Sequence, residues 1–310
     1  MTTAISVENL VVRYGPVTAV AGISFDVAVG EVFALLGPNG AGKTSTLEVL
    51  EGYRRRAAGA VSVLGYDPQR GSRALRERIG VVLQSCGVDQ ELTVRELVNM
   101  YAALYAHHRA PDETIELVGL ADKADARTRT LSGGQLRRLD LALAVVADPE
   151  LLFLDEPTTG FDPNARHAAW DMVDGLREAG TTIVLTSHYL DEVQRLADRI
   201  IVLRQGLIVS ASTPSDLAGR DRAESTIRIR SPFPGWEQTL PDGPWVVVPA
   251  GGDEVLLRTA RPTDALFILT RWATQRGEEL PALAVEHQTL EDAYLQLTGG
   301  AKGFGHDPVS

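Results

Sequence analysis

Cysteine is nearly absent. Cys86 is the only one in 310 residues, which excludes an intrachain disulfide and suits a reducing cytosol. No cysteine-nucleophile context surrounds it, so it reads as a small packing residue. Basic residues are short against acidic ones, 30 against 41, for a net charge of −11. That balance disfavours a nucleic-acid role built on a broad basic surface. Long apolar runs are missing too. The most hydrophobic region, Leu139 to Leu154, is broken by Asp140 and by Asp148-Pro149-Glu150, so no intrinsic membrane span is expected. Met1 to Glu8 lacks a basic stretch followed by an apolar core, so no signal peptide is expected.

What the chain does have is periodicity. Hydrophobic residues make up 44% and charged ones 23%, the mix of a globular chain with ample core. Ile5–Tyr14 reads as a strand, and Val17–Val20 and Ile23–Val29 alternate in the β manner with Gly22 and Gly30 between and after them. Strands are expected again at 31–36, 59–64, 79–83, 151–154, 182–186, 199–203 and 207–210. Helical patterns run from about 43 to 50, 93 to 105, 112 to 120, 132 to 147, 163 to 179 and 189 to 197. Arg73–Arg78 reads as a charged turn or short helix, and Thr93 with Glu96 gives a capping box. On the helix from Ser132, Leu136, Leu139, Leu143 and Val146 share a face. Strands alternating with helices imply a largely parallel sheet covered by helices.

The character changes after Thr213-Pro214-Ser215-Asp216-Leu217. A charged linker, Arg220–Glu224, leads to short strands at 225–230, 245–248, 255–257 and 284–286, with helices at 263–276 and 289–298. A small separate α/β domain is expected over 220–298, and a flexible tail over 299–310.

The chemistry starts where the strand Glu31–Leu36 stops. Gly37, Gly42, Lys43 and Thr44 fit the spacing G-x-x-x-x-G-K-[ST] of a phosphate-binding P-loop. Glycines let successive N–H groups wrap an anion, and the helix starting near Lys43 offers its positive end to the same charge. Lys43 neutralises the outer phosphates and the Thr44 hydroxyl can ligate Mg²⁺. The apolar strand Leu151–Leu154 delivers Asp155 and Glu156 at its C-terminal end, where open parallel sheets bind ligands. Asp155 suits Mg²⁺, and Glu156 is placed to polarise or deprotonate an attacking water. Leu131-Ser132-Gly133-Gly134-Gln135 opens the long helix with a good N-cap and two glycines, a second helix N-terminus fit for an anion.

Together these stretches resemble the nucleotide-binding subunit of an ATP-binding cassette (ABC) transporter. Gly37-Pro38-Asn39-Gly40-Ala41-Gly42-Lys43-Thr44-Ser45 matches that family's P-loop, and Leu131–Gln135 its signature motif. Leu151–Glu156 matches its catalytic strand, and Glu156 to Pro163 the segment after it. The resemblance implies further roles: Tyr14 for stacking on adenine, and Gln84 for contacting Mg²⁺ and the water. It also implies His188 at the γ-phosphate and Asp162 in communication across a dimer. Phe161 stands where the family usually has Leu, and Leu136-Arg137-Arg138-Leu139-Asp140 departs from the commoner Gln-Arg pattern. His107, His108 and His167 read as structural, and Arg54-Arg55-Arg56 as a solvated basic turn rather than a lipid contact.

The fold the resemblance implies is α/β. It is a P-loop NTPase cassette over 5–218 with a parallel-sheet core, an antiparallel β subdomain and a helical insert at about 88–147. The function it implies is ATP hydrolysis that powers transport through a separate membrane permease, with ATP and Mg²⁺ as ligands and no nucleic acid. Two cassettes, identical or paralogous, meet head to tail, so that Ser132, Gly133, Gly134 and Gln135 of one complete the P-loop site of the other. The segment 156–163, the run 136–140 and the ending Thr289–Thr298 look like bacterial ATPases paired with multidrug or antibiotic exporters, at the cytoplasmic face of the membrane. The alternatives are an importer ATPase or a cassette acting on ribosomes or DNA. The latter usually carries two cassettes or a long coiled-coil insertion, and this chain shows neither.

Overall fold

The computed structural model describes residues 2–82, 89–187, 189–218, 225–233, 235–248, 253–287 and 290–298. The chain divides into two compact units parted between Thr213 and Pro214.

In the first unit the order is β1 (Thr3–Tyr14), β2 (Val17–Ala28), β3 (Val32–Leu36), α1 (Lys43–Leu50), β4 (Ala58–Val63), α2 (Arg73–Arg76) and β5 (Ile79–Val82). Next come α3 (Val94–Ala102), α4 (Pro111–Leu117), α5 (Gly133–Val145), β6 (Leu151–Asp155) and α6 (Pro163–Glu178). The unit ends with β7 (Thr182–Thr186), α7 (Leu190–Leu196), β8 (Arg199–Arg204) and β9 (Leu207–Ser212).

β5, β6, β7, β3, β8 and β9 lie side by side in that order, parallel except for the antiparallel β8–β9 pair. Every residue of β3, β6 and β7 is buried, as befits strands covered on both faces. β3 and β6 both run parallel to β7, so the segments after Leu36 and after Asp155 leave the sheet at the same end. That shared end positions the site.

β2, β1 and β4 form a separate antiparallel sheet. Its inward residues, among them Ile5, Val7, Leu10 and Val20, join Phe33, Leu35, Leu47, Leu50 and Phe153 in one core, and Phe25 stacks on Phe33 at 5.4 Å. β2 continues through Gly22 where the sequence suggests an interruption. Leu10 pairs with Ile23 and Val11 with Ala21, so Gly22, at φ +89°, is the extra residue of a bulge.

α3, α4 and α5 pack on one another, and α5 also packs on β5. The capping box at Thr93 has both of its bonds. α5 differs from the single apolar face read in the sequence. Leu139 and residues 141–147 are buried, because the helix is enclosed between its neighbours, while Leu136 is only half-buried. Among the described residues no helix is long and apolar enough to cross a membrane.

The second unit comprises α8 (Pro214–Leu217), β10 (Ser225–Arg230), β11 (Val246–Val248), β12 (Glu254–Thr259), α9 (Pro262–Arg276), β13 (Ala284–His287) and α10 (Leu290–Thr298). Its antiparallel sheet has the order β11, β12, β10, β13. Alternation sorts its faces. Ile227, Ile229, Val255 and Leu257 pack with Ala265 and Leu269 of α9 and with Trp236, whose ring meets Trp272 edge-on at 5.8 Å. Arg228 lies between them in β10 and pairs with Glu254 and Glu286 across the neighbouring strands.

Candidate functional site

The turn between β3 and α1 is tight because glycine permits it. Gly37, Gly40 and Gly42 all have positive φ, +154°, +77° and +107°. A Cβ on Gly37 would stand 2.4 Å from the carbonyl oxygen of Leu203, and one on Gly42 would stand 2.7 Å from that of Ala19. Lys43 begins α1 and is buried. Its Nζ turns back to donate to the carbonyls of Gly37 at 2.7 Å and Pro38 at 3.4 Å. Burial holds the ammonium below its ordinary pKa, and the nearby Glu156 and Asp155 oppose that shift. The first turn of α1 carries no acidic residue that would repel an anion. Thr44 is exposed and Ser45 half-buried.

β6 brings Asp155 and Glu156 to this turn. Asp155 is buried and accepts a hydrogen bond from Thr186 Oγ1 of β7 at 2.5 Å. Glu156 sits at φ +51°, and its N–H donates to the carbonyl of Thr186 at 3.2 Å and to Thr186 Oγ1 at 3.1 Å. A cavity of about 430 Å³ is lined by residues 39–45, Glu156, Gln205 and residues 17–19. The two motifs therefore share one chamber. Glu51 caps the far end of α1. Burial, with the like charges of Asp155 and Glu48, pushes its carboxyl up to about 7.

Tyr14 stands beside this chamber and is not among the residues that line it. Its hydroxyl bonds Ser45 Oγ at 2.9 Å and donates to Glu48 Oε2 at 3.3 Å, and the Arg54 guanidinium covers the ring at 4.1 Å. Arg54 also pairs with Glu48. This arginine of the basic run is thus engaged within the protein.

Ser132 caps α5 with a complete box: Gln135 N–H donates to Ser132 Oγ at 3.3 Å, and Ser132 N–H to Gln135 Oε1 at 2.9 Å. Ser132 and Gly133 are exposed, Gly134 and Gln135 half-buried, and none of the four lines the P-loop cavity. Asp162 caps α6 by accepting from Ala165 N–H at 2.9 Å, and Phe161 beside it is buried. Gln84, His188 and Cys86 lie outside the described residues.

Residues 20–159 match the ABC transporter family, and residues 225–289 match the C-terminal domain of ABC transporter domain-containing proteins. The chain is 39% identical over 309 residues to the daunorubicin resistance ATP-binding protein DrrA3 of Streptomyces coeruleorubidus, covering 96% of each. It is 42% identical over 306 residues to the Nod factor export ATP-binding protein I of Paraburkholderia xenovorans, covering 96% of this chain and 97% of that one. The chain belongs to the ATP-binding subunits of ABC transporters. A solved ATP-binding subunit of an ABC transporter superposes with a TM-score of 0.64 at 26% identity, covering 71% of this chain and 93% of that one. The fold is thus the α/β P-loop cassette, and the activity is ATP hydrolysis coupled to transport.

The residues fit the ligands of an ABC cassette. Gly37 and Gly42 let the turn pack closely on Leu203 and Ala19, and residues 39–45 are thereby left lining an open cavity that can take a phosphate. Toward Mg²⁺ the described residues present the Thr44 hydroxyl in the cavity and, outside its lining, the buried Asp155 carboxylate that accepts from Thr186. A site that completes its shell with water and phosphate oxygens asks for no more.

Sequence reasoning missed three contributors. Thr186 holds Asp155 and Glu156 from the neighbouring strand. Glu192, fully buried, accepts from Thr158 Oγ1 at 2.8 Å and Trp170 Nε1 at 3.1 Å, and so joins α7 to the loop after Glu156. Arg137, also buried, reaches that loop from α5. The available signal was its register. Arg137, Asp140, Leu141 and Ala144 are spaced i, i+3, i+4, i+7, so the charged pair lies on a core-facing stripe.

Proposed function

We propose that this ABC ATPase powers export of a drug-like or lipophilic compound through a separate membrane permease, as a cassette dimer held peripherally at the cytoplasmic face. The reading of the site rests chiefly on one observation: Glu156 and residues 39–45 line the same cavity. Export is supported by relatives that match along 96% of the chain and are named for drug resistance and Nod factor export.

In this reading backbone N–H groups among residues 39–45, which line the cavity, hold the phosphates of ATP, and Lys43 neutralises the outer ones. Thr44 and Asp155 would hold Mg²⁺, which when bound draws charge from the phosphate oxygens. Glu156 orients the attacking water and takes up its proton. Gln84 and His188 complete the set around the γ-phosphate, and Tyr14 supports the adenine. Ser132, Gly133, Gly134 and Gln135 serve the ATP held by the second cassette, and Asp162 links the two sites.

Glu156→Gln tests the assignment. The variant keeps ATP binding, loses nearly all turnover and traps a nucleotide-bound dimer by size-exclusion chromatography. Near-normal hydrolysis would contradict it.

A further inference from the structure

Three successive backbone carbonyls, of Asp155, Glu156 and Pro157, accept hydrogen bonds from one side chain. Arg137 Nη2 donates to Asp155 O at 2.8 Å and to Glu156 O at 3.0 Å, and Nε donates to Pro157 O at 3.3 Å. Arg137 is only 8% exposed, so these bonds are made away from water, where an unmet donor is costly. A guanidinium carries five donors in one rigid plane and can span adjacent carbonyls. An ammonium is a point, and an amide has its donors on a single nitrogen.

The held segment is a conformationally unusual one. Glu156 is not glycine, yet it has φ +51°, a region that persists where the surroundings over-determine it. Thr186 binds the N–H of Glu156, and Arg137 binds the carbonyl of Asp155 in the same peptide unit. Arg137 also binds the carbonyl of Glu156, which belongs to the next unit. Both peptide planes flanking Glu156 are therefore pinned, and with them the direction in which its side chain leaves the backbone.

We propose that Arg137 is a positioning residue for Glu156. It fixes the backbone that aims this carboxylate into the P-loop cavity, and it ties that backbone to the helix opened by Ser132. The proposal rests on the reading of Glu156 as the group that activates water.

The test uses the purified full-length chain and four variants: Arg137→Lys, Arg137→Gln, Glu156→Gln and the Arg137→Gln/Glu156→Gln double. Readouts are kcat and KM for ATP, and the affinity for a fluorescent ATP analogue. Arg137→Lys is expected to lower kcat about tenfold and Arg137→Gln about thirtyfold, with KM and analogue affinity changed less than about twofold. Added to Glu156→Gln, Arg137→Gln lowers the residual rate by less than about twofold, because it acts through the group already removed. Should the Gln variant not fold, the Lys variant reads the same split. A wild-type kcat in either folded variant would overturn the proposal. So would analogue affinity falling in step with kcat, or a loss that multiplies with that of Glu156→Gln. If Glu156→Gln itself hydrolyses ATP normally, the reading of Glu156 fails first, and the double variant then shows whether Arg137 acts elsewhere.

Discussion

Two helix N-termini in the cassette carry glycines, and they carry them for opposite reasons. At α1, Gly37 and Gly42 are demanded from within. Their φ is positive, and a Cβ on either would collide with backbone 2.4 or 2.7 Å away. At α5, among the described residues and apart from chain neighbours and the helix's own backbone, nothing lies within 4 Å of a Cβ built on Gly133 or Gly134, and neither has positive φ. The fold does not need glycine there. One terminus is a cradle finished inside the subunit, with Lys43 folded over it. The other is a capped turn with Ser132 and Gly133 exposed, and under the proposed function its glycines admit the nucleotide of the second cassette.

Gly42→Ala is expected to have the largest effect on stability, about 3 kcal/mol or more, because strain and a backbone clash add. Chemical denaturation would show it, and a loss under about 1 kcal/mol would mean the turn relaxes freely.

Charge at the far end of α1 gives the next largest effect. Glu51 holds its proton in the folded state to about 7 but releases it near 4.5 when unfolded. The folded state therefore binds more protons between those values, and stability falls as pH rises through that window. Glu51→Gln removes the dependence. It should match the parent near pH 3.5 and exceed it at pH 8 by at most about 3 kcal/mol, read from denaturation midpoints at the two pH values.

The effects at α5 on folding are smaller. Ser132→Ala loses the cap of α5 and about 1 kcal/mol. In Gly133→Ala stability and activity should move apart. Alanine is favoured over glycine in a helix by up to about 1 kcal/mol, so the variant is as stable as the parent or more so. Its ATP turnover should nevertheless fall at least about tenfold, since close backbone approach is lost. A destabilised variant, or one with full turnover, would remove the contrast.

The same distinction explains what the sequence made legible. Gly37 to Ser45, Asp155, Glu156 and the capping boxes at Thr93 and Ser132 are local patterns, whose meaning lies within a few residues. The alternating strands and helices were readable for the same reason, including the short strands of the second unit, though not α8, which the sequence marked only as a change of character. The placement of β3 between β7 and β8 was not, because a parallel neighbour is set by chain more than 140 residues away. Arg137 was hidden similarly. Its register pointed to the core, but the carbonyls it serves lie 18 to 20 residues on. The Arg54–Tyr14 contact joins a basic turn to a strand end, and no periodicity in either stretch announces it.

In the proposed dimer the turn opening α5 completes the site of a second copy and not that of its own chain. That arrangement is tested by mixing two inactive variants, Lys43→Ala and Ser132→Arg, as full-length chains. In a head-to-tail pair one of the two composite sites then combines an intact P-loop with an intact signature. The mixture is expected to regain about a quarter of parental ATP turnover, half the pairs being mixed and each having one good site. A mixture no more active than its two components would contradict it.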